Sequence, residues 1–166
     1  GDGAITLSGN NSHTGITDMT DSSLTIDHAN ALGSSTLTSS DGSLSISSGL
    51  TLDSLTTTGA LKLLTDVNTT NDQTYGGNVE VLAGTAADPL EINSTTGDIT
   101  FNGTLTAGSG SKAATRSLQI NGNYKEGDDY TNAGNVTFND RVGYAFNGQI
   151  FTNLTGTNFY LYQRRN

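Results

Sequence analysis

The sequence predicts an all-β chain wound as a parallel β-helix, a β-solenoid of about 8–9 rungs of roughly 19 residues. Three observations predict it. Short segments alternate polar and apolar residues, as in Ile99-Thr100-Phe101, Leu118-Gln119-Ile120 and Val136-Thr137-Phe138. Their spacing is nearly constant: from Ile5 to Leu24, Leu44, Leu61, Val79, Ile99, Leu118 and Val136 the position numbers advance by 19, 20, 17, 18, 20, 19 and 18. Turn residues punctuate the beats. Each beat is therefore expected to be one rung, lying directly over its predecessor.

Taken in order, the first five beats are Ile5-Thr6-Leu7, Leu24-Thr25-Ile26, Leu44-Ser45-Ile46, Leu61-Lys62-Leu63 and Val79-Glu80-Val81. The stretch from Gly97 to Phe138 supplies the other three, and eight stacked rungs would make a rod on the order of 40 Å long. Val81, Phe101, Ile120 and Phe138 are expected to form one inward ladder, with Thr25, Thr100 and Thr137 facing outward between inward neighbours. Secondary beats at Ile16, Leu37, Leu52, Tyr75, Leu90, Leu105, Tyr130 and Phe146 predict a second strand on another face of each coil. Corners are expected at Ser8–Asn11, Asp41-Gly42, Tyr75–Asn78, Thr96–Asp98 and Asn121–Asn123, where Gly and Asn tolerate left-handed backbone. Pro89, the single proline, lies in a turn just ahead of the strand Leu90-Glu91-Ile92.

Composition narrows the class. Only 33% of the 166 residues are hydrophobic, Gly supplies 21, and Ser and Thr together supply 44, a balance that would suggest disorder without the regular spacing. A solenoid needs only a thin apolar column shared between layers. Residues 1–65 hold 13 of the 17 serines and no Phe or Tyr, while the remainder holds all eleven aromatics and every basic residue except Lys62. Both parts keep the period, so residues 1–166 read as one continuous solenoid segment with two styles of rung. The net charge of −9 opposes binding to nucleic acid or to an anionic bilayer. No apolar run of membrane-spanning length exists, so no membrane insertion by this segment is expected. The absence of Cys fits export without disulfides but assigns no compartment.

Two local patterns carry a resemblance. Ile5–Gly15, followed by Ser23–Ile26 and Asn30–Leu37, resembles the β-strand repeat of autotransporter passenger domains. Asp72–Val79, Gly97–Leu105 and Gly134–Gly143 are similar to repeats of filamentous-haemagglutinin-like proteins and giant bacterial adhesins. Together the matches cover most of residues 4–154. The resemblance implies a right-handed helix, a hand that parallel crossovers also favour. It further implies export, an extracellular location on the bacterial outer surface, and a role in adhesion or aggregation. Neither a C-terminal membrane barrel nor an initial secretion domain of those proteins is recognisable in this chain.

Candidate chemistry is sparse. His13 and His28 lie in Ser/Thr-rich loops without a Gly-x-Ser-x-Gly elbow, so exposed polar loop residues are expected rather than a catalytic triad. The acidic knot Lys125-Glu126-Gly127-Asp128-Asp129-Tyr130 is the one place where a polysaccharide-cleaving site could gather carboxylates, and it reads better as a solvated turn. No catalytic, cofactor-binding or metal residue is assigned. Gly76-Gly77-Asn78 departs from the calcium repeat Gly-Gly-x-Gly-x-Asp, and the two histidines do not make a zinc site. Six Asn-x-Ser/Thr triplets, at Asn10, Asn68, Asn93, Asn102, Asn135 and Asn153, are close to what chance supplies in such a composition and carry no weight.

The ends invite a different reading. The chain opens Gly-Asp-Gly-Ala without Met, and neither end shows an amphipathic cap, so a processed product or a piece of a longer coil is expected. Phe159-Tyr160-Leu161-Tyr162 with Arg164 and Arg165 reads as a further strand and is the candidate self-association end. The first expectation is thus a non-enzymatic structural or adhesive rod. Its partners would be other copies, the rest of a longer solenoid, or host and matrix glycans. A self-assembling subunit of an extracellular filament or sheath is the second reading, and a polysaccharide-active enzyme the third. The stacking of Ile99, Leu118 and Val136 is the geometric premise beneath all of this.

Overall fold

Thr, Val, Ile and Leu in strict alternation favour extended backbone, and the Gly, Asn and Asp between them keep each run short. A computed structural model describes residues 3–40, 43–46, 49–85, 88–107, 118–120, 135–140, 142 and 150–151. These hold strands and no helix. In chain order they are β1 (Ala4–Leu7), β2 (Ile16–Thr20), β3 (Ser23–Ile26), β4 (Thr36–Ser40), β5 (Ser43–Ile46), β6 (Leu50–Leu52), β7 (Leu55–Thr57), β8 (Ala60–Leu63) and β9 (Val67–Thr69). Then follow β10 (Gln73–Tyr75), β11 (Val79–Val81), β12 (Leu90–Ser94), β13 (Ile99–Phe101), β14 (Leu105–Ala107), β15 (Leu118–Ile120), β16 (Val136–Phe138) and β17 (Ile150–Phe151).

The strands form three parallel sheets, ordered β1-β3-β5-β8-β11-β14, β2-β4-β7-β10-β13-β16 and β6-β9-β12-β15-β17. We call them sheets A, B and C. The chain visits A, C and B in turn, which makes the molecule a β-solenoid. Four coils carry a strand on all three sides: β5–β7, β8–β10, β11–β13 and β14–β16. Two earlier coils, β1–β2 and β3–β4, have strands on sheets A and B only. In the second of these the turn around residues 28–34 sends Ala31 and Leu32 into the core in place of a third strand. Asn11 ties the first coil to this turn, donating from its backbone to Asn30 O and from Nδ2 to Ala31 O at 3.0 and 2.7 Å.

The count of 8–9 rungs is therefore corrected. Sheet A stacks the first five beats as expected, one coil per beat: Ile5 pairs with Leu24, Leu24 with Leu44, Leu44 with Leu61, and Leu61 with Val79. The coil then lengthens. Val79 pairs with Leu105, a step of 26, and Leu105 bridges to Val142 after a further step of 37. Ile99 lies in sheet B, where it pairs with Gln73 below and Val136 above, while Leu118 lies in sheet C on Leu90. Ile99 and Val136 are thus directly stacked across one long coil, and Leu118 is not part of their column. The premise that every beat overlies the last fails beyond Val81. Six strands in a sheet, five steps apart, span about 24 Å rather than the expected rod length.

The expected ladder of Val81, Phe101, Ile120 and Phe138 is likewise divided among all three sheets. The aromatic column that does form is Tyr75, Phe101 and Phe138 in sheet B, with ring centroids 4.6 and 5.0 Å apart and planes within 8° and 10° of parallel. Secondary beats through Leu90 lie on other faces than the main beats, Ile16, Leu37 and Tyr75 in sheet B and Leu52 and Leu90 in sheet C, whereas Leu105 joins sheet A directly over the main beat Val79. Tyr130 and Phe146 lie outside the described residues.

Candidate functional site

Each three-residue strand of sheet B turns its first and third side chains inward and its middle one outward, which builds columns along the rod. On the outside of sheet B the middle column reads Thr38, Thr56, Thr74, Thr100 and Thr137, each half-buried and in register with the next. Thr25, in sheet A, also faces out as predicted.

Beside the threonines runs a column of Asp72, Asp98 and Asn135. Its carboxylates accept backbone N–H groups from the coil above: Asp98 N donates to Asp72 Oδ1 at 2.9 Å, and Asn135 N to Asp98 Oδ1 at 2.6 Å. Asn78 Oδ1 does the same for Thr104 N at 3.0 Å. These groups satisfy donors at the corners, where the ladder of sheet hydrogen bonds ends. On the other side of the threonines, Asn139 Nδ2 donates to Asn102 Oδ1 at 2.7 Å.

The corner glycines serve a purpose other than the one expected. Among the described residues, positive φ occurs at Asp21, Gly33 and Gly84, and not at Gly76, Gly77 or Gly97. Instead, backbones of successive coils touch there. A Cβ on Gly77 would collide with the backbone of Gly59, and one on Gly103 would lie 2.5 Å from Gly77 C and O. Gly59, Gly77 and Gly103 thus precede β8, β11 and β14 as a column of close approach.

Inside, a bonded polar cluster around Gln73 interrupts the apolar columns. Gln73 occupies the inward place held by Leu55 and Ile99 in adjacent coils. Tyr75 donates its hydroxyl to Gln73 Oε1 at 2.5 Å, and Gln73 Nε2 donates to Asn93 O at 2.7 Å and Thr69 Oγ1 at 3.1 Å. Thr69 Oγ1 in turn donates to Asn71 O. The cluster is buried and its amide and hydroxyl groups are bonded, and burial pushes the Tyr75 hydroxyl's pKa above the ordinary phenol range. Thr57, one coil below Tyr75, has a buried hydroxyl with no hydrogen-bond partner among the described residues. Sequence reasoning missed Gln73 and Thr69, because an inward Gln looks like a break in the apolar pattern.

Both histidines find local partners. His13 Nε2 lies 3.0 Å from Thr17 Oγ1, which is 3.3 Å from Ser35 Oγ. His28 Nδ1 accepts the Asn30 N–H at 3.1 Å. His13 is exposed and His28 half-buried, and among the described residues neither ring is bonded to a carboxylate. No group of three or more His, Asp or Glu side chains among the described residues is placed to hold a metal ion. The acidic knot at 125–130 and the candidate self-association residues Phe159, Tyr160, Leu161, Tyr162, Arg164 and Arg165 lie outside the described residues.

Comparison with known proteins adds nothing to this geometry: no family model, curated protein or solved structure matches the chain.

Proposed function

We propose that this chain is a non-enzymatic structural or adhesive segment of a bacterial cell-surface or secreted protein. It acts as a stiff, right-handed β-helical rod that mediates adhesion or aggregation. The hand follows from the strong preference of parallel crossovers. The reading no longer rests on one column of Ile99, Leu118 and Val136, which occupy two sheets; the observation that carries it is the division of labour between columns. Inward columns are buried, mostly apolar and stacked through consecutive coils, which resists bending and local opening. The outer face of sheet B repeats one small, uncharged hydroxyl residue over five coils, a surface suited to displaying polar contacts rather than to enclosing a substrate. Its partners would be further solenoid, other copies, or the hydroxyl-rich surface of a glycan.

Beads coated with the chain test this directly. Adhesion of coated beads to glycan-bearing cells or to one another, above that of beads coated with the urea-unfolded chain, is the expected result. Equal adhesion of both would remove the adhesive reading. Release of reducing ends from acidic polysaccharides would overturn the non-enzymatic one.

A further inference from the structure

The amide pair at the corner between β13 and β14 supports an inference independent of adhesion. Asn102 is exposed and is followed by Gly103. Its backbone is held, with Asn102 N donating to Tyr75 O at 2.8 Å, and its side-chain oxygen accepts the Asn139 Nδ2 hydrogen bond. Two groups are left unengaged: neither Asn102 Nδ2 nor the Gly103 N–H bonds another described residue. The packing of Gly103 against Gly77 demands a residue without Cβ, so the glycine that follows Asn102 is imposed by the coil's own close approach.

We infer that Asn102 is a site of spontaneous, non-enzymatic modification, in which the Gly103 nitrogen closes on the Asn102 side chain to give a cyclic imide. The Gly103 N–H gives its proton to water or hydroxide, and the nitrogen adds to Asn102 Cγ. Negative charge gathers on Oδ1, where the Asn139 donor already points and stabilises it. The Cγ–Nδ2 bond then breaks, and Nδ2 takes up a proton and leaves as ammonia into the solvent that bathes this exposed side chain. Water reopens the five-membered ring at either carbonyl, which leaves an aspartyl or an isoaspartyl residue at position 102. Water is the only co-reactant. The aspartyl product keeps an acceptor for Asn139. The isoaspartyl product inserts an extra methylene into the main chain at a corner where coils are in contact, so modification would loosen the stack at this point.

The test is peptide mass spectrometry of the full chain after incubation at mildly alkaline pH, natively folded and in urea, with isoaspartyl methyltransferase labelling to separate the two products. Conversion at Asn102 in the folded chain at least as fast as in urea is expected. Conversion only after unfolding would overturn the inference. Asn139→Ala, an exposed change, is expected to slow conversion in the folded chain roughly tenfold, as befits loss of one hydrogen bond to a developing charge, while leaving the rate in urea unchanged. An unchanged folded-state rate in N139A would overturn the part assigned to Asn139. Asn102→Gln, whose longer side chain closes a less favourable ring, should show neither product at this position.

Discussion

Tyr75 is among the largest fully buried side chains of the described residues, and its hydroxyl ends on Gln73. Replacing Tyr75 with Phe keeps the ring stack and strands Gln73 Oε1 in the buried core, so a loss of about 1–3 kcal/mol is expected in urea unfolding. The same hydroxyl makes stability depend on pH. Burial raises its folded-state pKa above the ordinary phenol value of about 10. Below that value both states are protonated and the contribution is complete. As pH climbs beyond it the unfolded chain alone releases the proton, so stability falls with rising pH. Unfolding measured from about pH 8 to 11, where Y75F should lose part of the wild-type slope, checks the sign. Gly77 offers a second test: Gly77→Ala forces a methyl into the Gly59 backbone and should cost about 1–3 kcal/mol, the usual penalty of overpacking.

At the scale of elements, the second inward column of sheet B changes along the rod. It holds Ser39 and Thr57 where the coils stay short, then Tyr75, Phe101 and Phe138 as the steps between coils grow to 26 and 37. Phe101 is the middle ring, stacked on both sides. Phe101→Ala should destabilise by about 3–5 kcal/mol, with Phe101→Leu costing less because it refills most of the volume. Comparative thermal unfolding reads both. The strands are too short to hold themselves, so each gains its order from the strands above and below rather than from its own propensity.

For the whole molecule, nearest-neighbour stacking predicts graded rather than uniform protection. Ile5 occupies an inward register position on β1 yet is 50% exposed, and β1 and β2 form the outer edges of sheets A and B. Hydrogen exchange should therefore be fastest in β1 and β2 and slowest in β7 to β11, which are flanked by strands on both sides. Uniform exchange across these strands would argue against a stack of locally coupled coils.

The solenoid, most of its strands and the stacking of the first five beats were legible in the amino-acid sequence, whereas β7, β9 and the third side of the coil were not. Alternation with a period of two fixes which side chains face inward, and a nearly constant coil length leaves one sensible register. Gly and Asn also marked the corners near Tyr75–Asn78 and Thr96–Asp98, although the reason for glycine there is backbone contact rather than left-handed φ; the corners expected at Asp41-Gly42 and Asn121–Asn123 lie outside the described residues. The polar relay from His13 through Thr17 to Ser35 and the Gln73 cluster joins residues with no recognisable motif, so neither was legible. Which sheet Ile99, Leu118 and Val136 belong to is settled by the packing of the coils. The physical reason is that the core constrains the strands and leaves the loops between them free to lengthen. A strand such as Ile99-Thr100-Phe101 can serve on any side of the coil, and the sheet it joins is set by which neighbours accept its hydrogen bonds and its ring.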